Sequence, residues 1–337
     1  EANIGRLWLA AALVSSGQVE QAVAQLKEPV SASAALKDAA LFYIAAGQVR
    51  HWFEKIDPPA DLAASLQQIF ARSEQLARNI PALRRKLRQI SKSAFISPPH
   101  LTIHAFGPAQ VFLSGRKVAL SDWQTRETRD LFFFFLQASP RVKEEIAEVL
   151  WPNISPARLK MRFKTNMYRL RHAVGQNVIL FEGERYRFNH DIDYEYDVEN
   201  FKKLMEQADT AATPGARRAF LKSAIDLVKG PYLADIDAEW ASLERTYLEF
   251  QYHAALLQLA GLYLEDNQAA QALEVCHAAL KNDPLMEEAY RLSMRAYAIL
   301  GNSAAVARVF QTCSAVMNAE LGVNPSRETE KLYQILV

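Results

Sequence analysis

The stretch 155–174 constrains the fold of this chain more than any other. Leu159, Phe163, Met167, Leu170 and Val174 recur at spacings of four and three. At 100° per residue they span an arc of about 80°, the core-facing stripe of an amphipathic helix. Arg158, Lys160, Arg162, Lys164, Arg169 and Arg171 occupy the rest of the turn, and no acidic residue interrupts them. The chain must bury one side of this helix and leave a cationic side outward. Gly175 ends the pattern.

The flanks of the helix switch period. Upstream, "LTIHAFG" from Leu101 alternates apolar and polar residues as a half-buried strand does. "AQVFLSGRKVAL" reads as a hairpin turning at Ser114-Gly115. Two further helices are expected at 125–137 and 143–150, the second stopped by Trp151-Pro152. Downstream, "VILFEGERYRFN" reads as two strands around Glu182-Gly183-Glu184. The order of small sheet, three helices and hairpin is that of a winged helix, with 155–174 as its recognition helix.

Net charge over the 337 residues is only +1, but it is unevenly spread. Residues 101–190 hold 14 basic and 8 acidic residues, and 191–337 hold 13 and 22. A cationic middle and an anionic C-terminal part imply different partners for each.

Opposite the apolar stripe lie Met161, Thr165, Tyr168, His172, Arg158 and Arg169, flanked by Lys164 and Arg171. Arginine and lysine neutralise phosphates and release counterions. Arginine also matches guanine N7 and O6, and a threonine methyl can meet the thymine methyl. Met161, Lys164, Thr165, Tyr168 and Arg169 are therefore the expected base readers, with Arg162 and Arg171 placed for phosphates. On charge alone, a solvated helix favoured by cations at its C-terminal end explains the pattern equally well. The hairpin tips the balance, because Arg185 and Arg187 share one strand face and can reach the adjacent minor groove or its phosphates. Tyr186 and Phe188 are expected to point to the core. Trp123, residues 132–135, Val149, Leu150 and Trp151 are also expected in the core. Glu144 and Glu145 suit a helix start.

On either side the pattern is helical. Two Gly-Gln pairs, in "SSGQVEQAV" and "AAGQVRHWF", stand about 30 residues apart, near the period of helical-hairpin repeats. Both are expected as turns. Pro58-Pro59 closes that block, and 60–91 is expected as one or two helices, Pro81 starting the second where there are two. That region ends in Arg84, Arg85, Lys86, Arg88 and Lys92. These read as a solvated face, or as an auxiliary contact to the DNA backbone. Beyond Val198, breaks at Gly230-Pro231, Asn267, Asp283-Pro284, Gly301 and Asn324-Pro325 mark out helices. Two helical-hairpin units of tetratricopeptide type are expected between Ala254 and Gly322. The expected architecture is mostly α. It divides into a TPR-like segment (1–57), a helical linker (58–100), a central winged-helix (α+β) DNA-binding domain (101–190) and TPR-like repeats (191–337).

Cys276 and Cys313 lie far apart, and the seven histidines have no ligand spacing with cysteine or carboxylate. There is no phosphate-loop, dinucleotide or H-E-x-x-H pattern. The expectation is no enzyme, no cofactor and no metal. No apolar run approaches the roughly 20 residues of a membrane span. The first residue is Glu1 and the chain opens inside a helical pattern, so it is expected to be part of a longer protein.

"DWQTRETRDLFFFFLQAS", "KEEIAEVLWP", "RLKMRFKTNMYRLRHAVG" and "ILFEGERYRF" together resemble the winged helix of the streptomycete antibiotic-regulatory-type activators. "YDVENFKKLMEQA", "LVKGPYLADIDAEWASLERTYLE" and "AELGVNPSRETEKLY" resemble the bacterial transcriptional activation domain that follows it in that family. The resemblance covers about 101–337. It implies a response-regulator-like winged helix in a cytoplasmic, nucleoid-associated activator of transcription. The implied partners are promoter double-stranded DNA, RNA polymerase or another protein through the repeats, and a second copy of the chain. Tyr168 and His172 depart from the arginine or serine more usual there, so base preference is not carried over. The alternative is a helical-repeat scaffold whose winged helix binds a protein.

Overall fold

The computed structural model describes residues 2–33, 40–90 and 99–337. The chain divides into two compact units. The first comprises residues 1–100 with 177–180 and 188–194, and the second comprises 101–176, 181–187 and 195–337.

The first unit is built on α1 (Ala2–Ser15), α2 (Val19–Ala32), α3 (Ala40–Phe53) and α4 (Ala60–Ile90). Leu7, Ala11, Leu26, Phe42, Val49, Phe53, Leu66 and Ile69 form its core. The first Gly-Gln pair is a turn, with Gly17 at φ +81° in the left-handed region that favours glycine. The second is not. Helix α3 runs straight through Gly47, against the expected break. The reason lies on α4: a Cβ at Gly47 would run into the Ser73 hydroxyl. Glycine here serves close helix packing rather than a turn. Pro81 likewise lies inside α4 instead of starting a new helix. The missing N–H removes one ladder bond without ending the element.

The basic end of α4 also differs from expectation. Arg85 donates through Nη2 to the His190 carbonyl at 2.7 Å and stands 4.5 Å over the Tyr194 ring. Arg88 pairs with Asp193, and both side chains are largely buried. Both arginines are engaged within their own unit, Arg88 largely buried and Arg85 half-buried, rather than free on a solvated face. Arg84 is exposed, and Lys92 lies outside the described residues.

The second unit opens with β1 (Leu101–His104), β2 (Gln110–Leu113) and β3 (Arg116–Lys117). Antiparallel pairing sets Ile103 opposite Val111 and Phe112 opposite Lys117. Ser114 (φ +49°) and Gly115 (φ +81°) make the two-residue hairpin turn foreseen from the sequence. The full sheet order is β3-β2-β1-β6, with β6 (Tyr194–Tyr196) a strand that the sequence did not announce. A short α5 (Leu120–Trp123) precedes α6 (Arg126–Gln137), α7 (Lys143–Leu150) and α8 (Pro156–Val174). Phe132, Phe133, Phe134 and Phe135 are all buried, as are Trp123 and Trp151. Val149, expected in the core, is 37% exposed. Glu145 accepts the Val142 N–H at 3.2 Å, so it caps α7 as its position suggested. A hairpin of β4 (Ile179–Glu182) and β5 (Arg185–Phe188) follows α8.

The C-terminal helices are α9 (Asp197–Asp209), α10 (Pro214–Leu227), α11 (Glu239–Glu265), α12 (Ala269–Asn282), α13 (Glu287–Ile299), α14 (Ser303–Leu321) and α15 (Arg327–Leu336). Every expected break falls between two of them. Helices α11/α12 and α13/α14 are the two hairpin units, packed through Ala260, Cys276, Leu292 and Cys313. The segment after α10 returns to the sheet end. Leu233 donates to the Ala105 carbonyl at 2.7 Å and Gly107 to the Pro231 carbonyl at 3.0 Å. Gly230 and Gly107 make room for this, since a Cβ at Gly230 would sit 3.2 Å from the Gly107 Cα. The mostly α architecture with a central α+β winged helix and helical repeats is therefore the one expected.

Candidate nucleic-acid interface

Helix α8 starts at Pro156, whose fixed φ suits a first helical position, and ends at Gly175 with φ +110°. Leu159, Phe163, Met167, Leu170 and Val174 are all buried, so the stripe read from the sequence is the core face. On the other side Met161 is 69% and Tyr168 67% exposed. Arg158, Lys160, Lys164 and His172 are exposed beside them, while Thr165, Arg169 and Arg171 are half-buried. The Tyr168 and His172 rings stack, with centroids 6.3 Å apart and planes 12° off parallel. Met161, Lys164, Tyr168 and His172 follow one another one turn apart. From Met161 to His172 that strip is roughly 16 Å long at 1.5 Å rise per residue.

Arg162 is exposed but has a fixed partner. Its Nε and Nη2 donate to the two carboxylate oxygens of Glu127 at 2.8 and 2.9 Å. The guanidinium also lies 5.3 Å from the Trp151 ring centre. Asn166, buried on α8, donates to Glu127 at 2.7 Å and accepts the Thr128 hydroxyl at 2.7 Å. Thr128 in turn meets the Thr125 hydroxyl at 2.8 Å, and Thr125 caps α6 by accepting the Thr128 N–H at 3.2 Å. The expected site thus missed Glu127, Thr128 and Asn166. They sit on two helices nearly 40 residues apart, and no local spacing joins them. The one available signal was Asn166 itself, a polar residue at the margin of an apolar stripe.

The wing turns through Gly183 and Glu184, both in the left-handed region. Phe188 is buried, as expected. Tyr186 is half-buried between Phe163 of α8 and Phe181, at centroid distances of 4.8 and 4.5 Å. Arg141 and Tyr186 exchange backbone hydrogen bonds at 3.1 and 2.8 Å, tying the wing to the segment before α7. Arg185 donates to the Pro140 carbonyl at 3.0 Å and stands 3.7 Å from Glu145. Arg187 pairs with Glu182 at 2.9 Å. The two wing arginines are thus present at the surface, each with an intramolecular partner.

Among the described residues, no group of three or more His, Cys, Asp and Glu side chains is placed to hold a metal ion. Burial pushes the Cys276 and Cys313 thiols up to about 11, away from the reactive thiolate form. No described helix is long and apolar enough to cross a membrane.

Residues 196–336 match the bacterial transcriptional activator domain. The regulatory protein AfsR of Streptomyces coelicolor is 24% identical over 238 residues, which is 69% of this chain and 24% of that protein. AfsR of Streptomyces griseus is 26% identical over 194 residues, covering 56% and 20% respectively. The chain therefore spans about a quarter or less of the length of these relatives. Among solved structures, Mycobacterium tuberculosis EmbR, in complex with a low affinity phosphopeptide, superposes with a TM-score of 0.59 at 16% identity. The match covers 71% of this chain and 65% of that one, and at that identity it shows a shared fold. The resemblance to the antibiotic-regulatory-type activators drawn from the sequence is borne out by these matches.

Proposed function

We propose that the chain is a sequence-specific DNA-binding regulator of transcription, acting as an activator. In this reading α8 enters the major groove of promoter DNA and the β4–β5 wing braces on the neighbouring backbone. The observation that carries it is the outward face of α8, where Met161, Lys164, Tyr168 and His172 are exposed in one strip near the exposed cations Arg158 and Lys160 while the opposite stripe is buried. Met161, Lys164, Thr165, Tyr168 and Arg169 read base edges. Arg158, Lys160, Arg162, Arg171 and His172 contact phosphates, and Arg185 and Arg187 exchange their intramolecular partners for the DNA edge. The match of 196–336 to an activator domain supports the direction of control.

The remaining roles divide along the chain. Residues 101–190 serve as the DNA-binding domain and 191–337 as the activating repeats, while α4, expected within a helical linker (58–100), packs through Leu66 and Ile69 into the core of the TPR-like helices of 1–57. The repeats offer a surface for RNA polymerase, another protein or a second copy of the chain. The chain does no catalysis of its own and works in the cytoplasm on nucleoid DNA. Incubating the full chain with a random-sequence duplex pool, with successive rounds of gel-shift selection, tests the reading. Enrichment of one motif, bound with a steep salt dependence, is expected. Binding with no preference over the starting pool would overturn it.

A further inference from the structure

The Arg162–Glu127 pair does not look like an ordinary surface salt bridge. An exposed ion pair contributes little to stability. Here the carboxylate is itself held in place from behind. Asn166 donates to it, Thr128 fixes the Asn166 amide, and Thr125 fixes Thr128. Asn166 and Thr128 are 3% and 0% exposed, so the chain of bonds runs from the recognition helix through buried residues into the cap of α6. A buried network of this kind fixes a geometry at high cost if any member is lost.

What it fixes is the orientation of one guanidinium. Glu127 takes the Nε/Nη2 edge of Arg162, and the Trp151 ring lies 5.3 Å away. Nη1 and the second N–H of Nη2 are left, and together they form the end-on fork of the guanidinium. The Arg162 side chain is 46% exposed, on the flank of α8 next to the proposed reading strip. A fork so held matches the two-oxygen edge of a phosphate.

We infer that Glu127 is a positioning residue for DNA recognition, holding Arg162 side-on so that its end-on fork meets a backbone phosphate. This rests on the DNA-binding reading above and adds a consequence which simple electrostatics reverses. Glu127 is an anion beside a surface that binds a polyanion. By charge alone its removal tightens DNA binding. If it positions Arg162, its removal weakens binding, because the guanidinium must then be ordered when DNA arrives.

The test uses the full chain and a duplex enriched from a random pool by the wild-type protein, with affinity measured across a salt series. Arg162→Ala is expected to weaken binding and lower the salt slope by about one unit, equally on the enriched duplex and on its single-base variants. Glu127→Ala is expected to weaken binding about fivefold, and to change nothing further in the Arg162→Ala background. Glu127→Gln, close in shape and still able to accept from Asn166, should weaken binding in the same direction even if the alanine variant folds poorly. Binding by Glu127→Gln as tight as wild type or tighter would overturn the inference. So would equal losses on removing Glu127 with and without Arg162. A loss for Arg162→Ala confined to one base pair would overturn the phosphate assignment. A wild-type protein that enriches no duplex would instead sink the DNA-binding reading on which the inference stands.

Discussion

Both carboxylate oxygens of Asp197, at the start of α9, accept the backbone N–H of Ala105 at 2.9 Å, just past the end of β1. The same carboxylate takes the Phe106 N–H at 3.1 Å and the Val198 N–H at 2.9 Å. One buried side chain therefore satisfies the chain leaving β1 and the first turn of α9 together. Asp197→Ala would strand three buried donors. Each orphaned group costs about 1–3 kcal/mol, so with partial relaxation a loss of about 3 kcal/mol is expected. Urea denaturation followed by tryptophan fluorescence should register a lower midpoint at unchanged slope. A midpoint within error of wild type would show that water replaces the carboxylate there.

His104 sits on the same carboxylate, with Nδ1 3.7 Å from Asp197 Oδ2. The interaction with Asp197 raises its pKa above the ordinary value, against a smaller lowering from burial. A raised folded pKa means that the protonated ring favours the folded state. The contribution is fully present below about pH 6.5, the ordinary histidine value, and is lost as pH rises through the higher folded value. His104→Gln should flatten the stability–pH curve in that window. An NMR titration should place the His104 midpoint above the ordinary value in wild type and return it towards that value in Asp197→Asn. Identical midpoints in the two proteins would remove Asp197 as the cause.

The outward strip of α8 makes distinct predictions for neighbouring residues. Arg169→Ala should cost about 1–3 kcal/mol of binding and relax the preference at one base pair, as expected of a base reader. Tyr168→Ala should act likewise through lost apolar contact. Lys160→Ala should weaken binding evenly across sequences and lower the salt slope by about one unit. Selection of binding sites with each variant separates these outcomes. An unchanged motif for Arg169→Ala would move that residue to the phosphate class.

The division between what was legible and what was not follows the range of the signal. The α8 stripe, the Ser114-Gly115 turn and the breaks among the C-terminal helices are written in residues within one or two turns of each other. Periodicity and backbone preference reach that far. Strand β6 is three residues long, too short for alternation to register. The Glu127–Asn166 contact and the α4 arginines bound to 190–194 join residues about 40 and 105 positions apart. Spacing cannot encode such pairs, and charge runs mislead about them. Arg85 and Arg88 look solvated in sequence because their partners, the His190 carbonyl, the Tyr194 ring and Asp193, are contributed from far downstream.

At Gly47 the same residue type argues for a turn in sequence and for close packing in three dimensions. Its neighbour across α3 and α4 is Ser73, a buried polar residue 7% exposed. Alanine favours a helix interior over glycine by about 1 kcal/mol, so Gly47→Ala should stabilise α3 if space allowed. To make that space the buried Ser73 hydroxyl must rotate away, while the Ser73 Cβ, 3.6 Å from the modified position, is an ordinary contact. Gly47→Ala alone is expected to lower stability by about 1–3 kcal/mol through overpacking. In a Ser73→Ala background the same change should become neutral or stabilising by up to about 1 kcal/mol. Thermal unfolding of the four proteins in this double-mutant cycle measures the coupling directly. A Gly47→Ala effect of the same sign and size in both backgrounds would place the reason for glycine elsewhere.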